Sequence, residues 1–168
     1  MIKARYPDLK LYVAGDKITA YETIKDKLKI SSYGKYLNEL ITKYGLKENV
    51  IFTGALTEEE MLARYKSAEV YLLTSFVENS PNSLGEAMLL GMPTIATDVG
   101  GVTSMVLDGK ESLLYKAGDA TLLSQKLITI FEDDELKKEL AKNAKVRAME
   151  THNKENNYNM LLEAYRNI

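Results

Sequence analysis

Several residue types and patterns are missing or scarce in this chain, and each absence removes a class of function. Among its 168 residues there is no cysteine, which excludes disulfides and thiolate chemistry. The only histidine, His152, lies in a polar stretch, so a histidine-rich metal site or a Ser-His-Asp triad has little material. The net charge of −2 gives no bulk attraction for nucleic acid or anionic membrane. No apolar run approaches the ~18–20 residues that a membrane-spanning helix needs, and residues 1–8 lack the apolar segment of a signal peptide.

What remains is an ordinary globular composition, with 45% hydrophobic and 27% charged residues. Short apolar runs that end in turn residues alternate with helical patterns. We expect strands at residues 9–14, 50–53, 70–73, 93–96 and 112–115. We expect helices at residues 33–44, from 57 onward, 81–91, 103–107, 120–131, 135–149 and 154–166. Thr57 and Glu60 have the spacing of a capping box, and residues 16–32 are expected to form a surface excursion.

This alternation predicts an α/β fold of the Rossmann-like type. It would be a three-layer sandwich in which helices cover both faces of a mostly parallel sheet. The chain reads as one domain over residues 1–168, with a final helix at about 154–168, and its first residues resemble the end of a helix. We therefore expect it to be an N-terminally truncated part of a longer protein.

The most informative segment follows the third expected strand and carries two acids, Glu78 and Glu86, separated by seven residues. Pro81 suits the first helical position, which makes Ser80 the candidate N-cap. The free N–H groups of such a helix start favour a phosphate or a carbohydrate oxygen. Glu86 would lean back toward the same ligand, and one carboxylate can accept bonds from two neighbouring hydroxyls, as on a ribose. Taken alone, each glutamate is more often a solvated surface residue.

Glycines end several of the expected strands. Gly100 and Gly101 follow the fourth strand. They would either let the backbone approach a ligand closely or form a tight turn into the next helix. Gly15 and Gly54 end the first two strands, and the four strand ends together suggest one shared cleft. Gly85 is expected to allow close packing of its helix on the sheet. No GxGxxG motif is present, so a nicotinamide cofactor is not indicated.

The chain resembles a known family at this point. The segment from Ser75 to Val102, with its paired glutamates, is similar to the signature of group 1 (family 4) retaining glycosyltransferases of the GT-B fold. The turn around Gly15 and the Asn-Val-x-Phe-x-Gly strand from Asn49 to Gly54 resemble other parts of the same domain. The resemblance implies the C-terminal, donor-binding half of a GT-B fold.

The resemblance also implies roles for individual residues. Glu86 would hold the ribose hydroxyls of a nucleotide-sugar, and Glu78 would be the catalytic residue in contact with the transferred sugar. Thr53 and Gly54 would border the base, and Gly15 would lie in the same cleft. Backbone amides would reach the sugar and diphosphate from five further residues: Asn79, Ser80, Asn82, Ser83 and Leu84. The resemblance implies no metal. It implies no cofactor either, because the UDP- or GDP-linked donor is a substrate.

The partners implied are this donor and a glycan or glycolipid acceptor, bound through an N-terminal domain that the chain does not contain. The strand and Arg/Lys loop that open the family's donor domain are also absent. We therefore expect the isolated chain to be inactive, and the parent enzyme to be cytoplasmic, with peripheral association at the inner face of the membrane. A non-catalytic Rossmann-like interaction module or remnant is the alternative, and an epimerase of nucleotide sugars is a weaker third.

Overall fold

The computed structural model describes residues 2–15 and 31–166. The surface excursion expected at residues 16–32 therefore lies almost entirely outside the described residues. The described helices are α1 Ile2–Arg5, α2 Ser32–Lys43, α3 Glu58–Ser67, α4 Asn82–Leu89, α5 Val102–Met105, α6 Ala120–Glu132, α7 Asp134–Thr151 and α8 Lys154–Arg166. The described strands are β1 Leu11–Ala14, β2 Val50–Gly54, β3 Tyr71–Leu73, β4 Thr94–Thr97 and β5 Leu113–Tyr115. None of the helices in these ranges is long and apolar enough to cross a membrane.

The chain divides into two compact units, Met1–Ala63 and Arg64–Ile168. In the first unit β1 and β2 pair in parallel, with Leu11 opposite Val50. The side-chain amide of the buried Asn49 donates to the carbonyl oxygens of Pro7 and Leu9, both at 2.8 Å. Because these bonds satisfy a buried polar group, Asn49 fixes the path by which the chain enters β1.

The start of α3 confirms the capping box. The Glu60 carboxylate accepts from the Thr57 N–H at 2.9 Å, and the Thr57 hydroxyl oxygen accepts from the Glu60 N–H at 3.3 Å. Two N–H groups at the helix start, which have no partner inside the helix, are thereby satisfied.

The second unit contains a parallel sheet with strand order β3-β4-β5. The central strand β4 is buried at every position, which is typical of a strand covered on both faces. Helices α4 and α7 pack together and contribute to one hydrophobic cluster. Its members are Leu73, Leu84, Met88, Ala96, Val102, Met105, Val106, Ala144 and Ala148. Each fully buried large side chain, such as Leu84 or Met88, contributes roughly 1.5–3 kcal/mol to folding.

The α/β class and the parallel pairing of the strands are confirmed. Among the described strands, hydrogen bonds join β1 to β2 in the first unit and give the order β3-β4-β5 in the second. Alternation of strands and helices along the chain predicts parallel pairing, but it does not determine which strands are neighbours.

Candidate functional site

The helix that carries Glu86 begins one residue later than expected. Pro81 is its N-cap, with φ −70° and ψ 106°, and the first helical residue is Asn82. The prediction that Ser80 caps this helix is therefore wrong, because the extended backbone of Pro81 separates Ser80 from the helix. Proline has no side-chain oxygen, and within residues 2–15 and 31–166 no side-chain hydrogen bond caps this end. The helix start thus presents main-chain N–H groups with partial positive charge.

Glu86 contacts a hydroxyl from outside its own helix. The hydroxyl of Tyr65 donates to Glu86 Oε2 at 3.1 Å and lies 3.4 Å from the carbonyl oxygen of Ser83, one turn earlier. That the Glu86 carboxylate is directed toward a ligand at the helix start stays a prediction. Glu86 itself is solvent-exposed, whereas Tyr65 is buried.

Glu78 is held through both its side chain and its main chain. The hydroxyl of Ser75 donates to Glu78 Oε1 at 2.6 Å, and the N–H of Gly101 donates to the Glu78 carbonyl oxygen at 2.9 Å. The hydroxyl of Thr97, at the end of β4, donates to the Ser75 carbonyl oxygen at 2.8 Å. The loop of Glu78 is therefore bound at two points to the segment that follows β4.

The tandem glycines serve this contact between loops. A Cβ at Gly100 would overlap the carbonyl oxygen of Glu78, and one at Gly101 would overlap that of Asn79. In the described residues the group that lies against these glycines is the backbone of the Glu78 loop, and close approach of a ligand stays a prediction. Only a residue without a Cβ leaves room for that backbone.

Tyr71 lies within the electrostatic influence of both acids. Burial raises the pKa of the Tyr71 phenol, and the charges of Glu78 and Glu86 raise it further, while the hydrogen bond to Ser83 lowers it. That bond runs from the Tyr71 hydroxyl to Ser83 Oγ at 2.7 Å. Burial and the charge of Glu86 likewise raise the pKa of Tyr65. The structure thus brings the two predicted acids to the surroundings of one phenol.

Gly85 contacts an imidazole rather than the sheet, which corrects the expected reason for this glycine. A Cβ at position 85 would lie 2.5 Å from Nε2 of His152. The Thr151 hydroxyl donates to the Arg147 carbonyl oxygen at 3.0 Å and lies 2.9 Å from His152 Nδ1.

The remaining predicted residues of this loop differ in exposure. Asn79, Ser80 and Asn82 are exposed, and Ser83 is half-buried. Leu84 is fully buried in the core cluster, and its N–H donates to the Pro81 carbonyl oxygen at 3.1 Å. Its role in ligand binding stays a prediction. To bind a ligand, the Leu84 N–H would have to give up its hydrogen bond to the Pro81 carbonyl oxygen.

The three predicted residues of the first unit come together at the carboxyl ends of β1 and β2. The Gly15 N–H donates to the Gly54 carbonyl oxygen at 3.1 Å. The Thr53 hydroxyl donates to the same oxygen at 3.0 Å and lies 3.4 Å from the Val13 carbonyl oxygen. That this cluster shares a cleft with Glu78 and Glu86 stays a prediction, because the two groups belong to different units.

A cavity of about 320 Å³ lies elsewhere in the second unit, beside α5 and α7. Arg147 crosses it and donates to the carbonyl oxygens of Ser104 at 3.3 Å and Met105 at 3.5 Å. The buried Glu111 lines it and accepts from the Leu107 N–H at 2.9 Å. These charged groups bind the protein's own backbone, and none of the predicted site residues lines this cavity.

No group of three or more metal-ligating side chains forms within residues 2–15 and 31–166.

Sequence reasoning missed Tyr65 and Ser75, whose hydroxyls donate to the two acids, and Tyr71, whose hydroxyl donates to Ser83. The chain contains eleven tyrosines, so their number gave no way to single out two. Ser75, three residues before Glu78, offered a local signal, because a hydroxyl at that spacing can reach the acid within one loop.

Comparison with known proteins decides the family. The family model for glycosyl transferases group 1 matches residues 1–147. The chain belongs to the group 1 glycosyltransferases. The family predicted from the Glu78–Glu86 motif is thereby confirmed.

The chain is also similar to individual proteins of known name. The chain is 30% identical over 134 residues to D-inositol 3-phosphate glycosyltransferase of Corynebacterium urealyticum, a match covering 80% of the chain and 31% of that protein. It is similar to sucrose-phosphate synthase from Thermosynechococcus elongatus, with TM-score 0.80 and 25% identity over 99% of the chain and 40% of the other. It is also similar to Anabaena Alr3699/HepE in complex with UDP-glucose, with TM-score 0.72 and 28% identity over 86% and 37% of the two chains. The chain spans between 25% and 35% of the length of three curated relatives.

Proposed function

We propose that this group 1 chain is the nucleotide-sugar-binding, C-terminal part of a retaining glycosyltransferase. The observation that carries the proposal is the arrangement of Glu78 and Glu86 on either side of an uncapped helix start, each accepting from a hydroxyl. Two acids beside positive main-chain N–H groups suit a ligand that combines sugar hydroxyls with phosphate. The likeness to the HepE complex with UDP-glucose supports this ligand class.

In this proposal each part of the donor has its own residues. Glu86 accepts from the ribose hydroxyls, and Glu78 contacts the transferred sugar. The amides from Asn79 to Leu84 approach the diphosphate at the helix start. Gly15, Thr53 and Gly54 border the base.

The proposed reaction breaks the bond between the anomeric carbon and the diphosphate oxygen. An acceptor hydroxyl oxygen forms the new bond to that carbon and gives up its proton, while the nucleoside diphosphate leaves with the bonding electrons. Hydrogen-bond donors beside the diphosphate stabilise the charge that develops on it. Retention means that the anomeric configuration is the same in product and donor. The proposal includes no metal and no cofactor.

The acceptor is proposed to be a growing polysaccharide or a glycolipid, at the cytoplasmic face of a membrane. Its binding and the completion of the active site are assigned to a part of the parent protein outside this chain. We therefore expect no transfer when the 168-residue chain is incubated with UDP- or GDP-sugars and acceptor glycans. Measurable transfer by this chain alone would contradict that assignment.

A titration with UDP, GDP and their sugar conjugates, followed by amide NMR shifts, tests the donor site. We expect saturable shifts at residues 78–90, and for Glu86→Gln a dissociation constant roughly 10-fold or more higher, as for the loss of a hydrogen bond to a charged group. Glu135→Gln is the control, because it removes the same charge from an exposed acid bonded to Lys138 in α7. No shifts at millimolar ligand would refute the donor site and favour a non-catalytic interaction module.

A further inference from the structure

The hydroxyl that donates to Glu86 belongs to a buried side chain, that of Tyr65. Tyr65, in the part of α3 that belongs to the second unit, is only 8% exposed, whereas Glu86 is exposed. A glutamate on a helix surface ordinarily exchanges among many rotamers, and it loses this freedom when it binds a ligand. A hydrogen bond from a buried and ordered donor removes part of that freedom before the ligand arrives.

Tyr65 is itself held by a second aromatic residue. Its ring packs against that of Tyr71 with the centroids 6.0 Å apart and the planes tilted by 54°. The Tyr71 hydroxyl donates to Ser83 Oγ, in the first turn of α4, at 2.7 Å. Two phenols from neighbouring elements therefore contact one helix start, each through its hydroxyl.

The hydroxyl proton of Tyr65 has two possible acceptors, and they are unequal. Glu86 Oε2 lies at 3.1 Å and the Ser83 carbonyl oxygen at 3.4 Å. A charged acceptor at the shorter distance forms the stronger bond. A carboxylate has about four acceptor sites on its two oxygens, so one bond from Tyr65 leaves enough acceptors for two adjacent hydroxyls.

We propose that Tyr65 is a positioning residue that holds the Glu86 carboxylate in the orientation in which it receives the two ribose hydroxyls. The proposal rests on the proposed function, because it assigns Glu86 to the ribose. It also extends that function. The site would distinguish a ribose from a sugar that lacks these two hydroxyls, and this distinction would depend on Tyr65, a residue that does not touch the ligand.

The test compares Tyr65→Phe with Tyr115→Phe. Both remove a hydroxyl from a buried ring, but Tyr115 lies in β5, and no hydrogen bond within the described residues joins it to Glu86. The ligands are UDP and 2′,3′-dideoxy-UDP, or the matching guanine pair if the chain binds GDP. The Tyr65→Phe variant should raise the dissociation constant for UDP roughly 3- to 10-fold and leave that for the dideoxy compound within about 2-fold. In a Glu86→Ala background, which removes the acceptor, Tyr65→Phe should have no further effect, and Tyr115→Phe should change neither constant.

A ligand-free measurement separates this inference from the proposed function. NMR relaxation of the Glu86 side-chain methylenes should show lower order in Tyr65→Phe than in the wild type, and unchanged order in Tyr115→Phe. Equal weakening of UDP and dideoxy-UDP by Tyr65→Phe would overturn the inference while nucleotide binding, and with it the proposed function, stands. If the wild type bound neither nucleotide, the proposed function would fail, and unchanged Glu86 order in Tyr65→Phe would overturn the inference as well.

Discussion

The imidazole of His152 occupies the space that a side chain at position 85 would take, with Nε2 2.5 Å from the place of a Cβ on Gly85. Gly85 lies inside α4, and its neighbour Glu86 is one of the two acids of the site. The end of α7, where His152 is the C-cap, is thus packed against the helix that presents Glu86.

Substitution of Gly85 by alanine should displace the His152 ring rather than unfold the protein. Alanine ordinarily stabilises a helix interior by about 0.5–1 kcal/mol relative to glycine. Here that gain should be offset, because the exposed ring must leave its place beside Thr151. In a His152→Ala background the full gain should return. Urea denaturation of the four variants gives the coupling free energy, and an equal gain in both backgrounds would contradict the contact.

Alanine substitutions at Gly101 and Gly109 separate the effect of lack of space from the effect of backbone strain. Gly101→Ala should destabilise the fold by about 1–3 kcal/mol or more, because its Cβ would overlap the Asn79 carbonyl oxygen. Gly109 has φ +74° and no atom within 4 Å of a Cβ, so Gly109→Ala should cost only the roughly 1–2 kcal/mol of a left-handed alanine. Amide shifts at residues 78–80 should move in Gly101→Ala and stay in place in Gly109→Ala. Unchanged shifts at residues 78–80 in Gly101→Ala would contradict the packing of the two loops.

Asn49 should be the polar residue on which the first unit depends most. Asn49→Ala removes two donors and leaves the Pro7 and Leu9 carbonyl oxygens without them, which should cost about 2–3 kcal/mol. Asn49→Asp should cost more at neutral pH, because its carboxylate would face the same two oxygens. Hydrogen exchange of the β1 and β2 amides measures this loss. If these amides exchanged as slowly in both variants as in the wild type, the Asn49 hydrogen bonds would not be what holds the strands.

Stability at alkaline pH should depend on Tyr71. Burial, followed by the charges of Glu78 and Glu86, raises its pKa in the folded protein above the ordinary value near 10. The folded state therefore retains a proton that the unfolded state loses, so this contribution is complete below about pH 10 and declines as the pH rises toward the folded pKa. The difference in unfolding free energy between the wild type and Tyr71→Phe should be constant up to about pH 9 and then shrink. A difference that stays constant up to pH 11 would contradict the raised pKa.

The parts of the fold that short-range chemistry determines were predictable. The capping box of Thr57 and Glu60 was expected from spacing alone. The start of α4 was missed by one residue, since proline fits the N-cap as well as the first helical position. These features depend on neighbours within a few residues.

The spacing of Glu78 and Glu86 selects them as candidate site residues, and their role stays a prediction, whereas the residues that contact them could not be predicted. Tyr65 reaches Glu86, and His152 reaches Gly85, only through the packing of elements that are distant in sequence. Which strands are neighbours, such as β3 and β5 on either side of β4, is a question of the same kind. Periodicity specifies which face of an element is buried, but it does not name the element against which that face packs.

The bond from the Gly101 N–H to the Glu78 carbonyl oxygen also has a consequence for protein engineering. The loop that carries Glu78 and the turn that follows β4 behave as one part, because the shape of each is defined by the backbone of the other. A loop transplanted from a relative should keep its geometry only if residues 75–80 and 97–101 are exchanged together. Variants that change one of these segments against a fixed copy of the other should lose the backbone contacts between them.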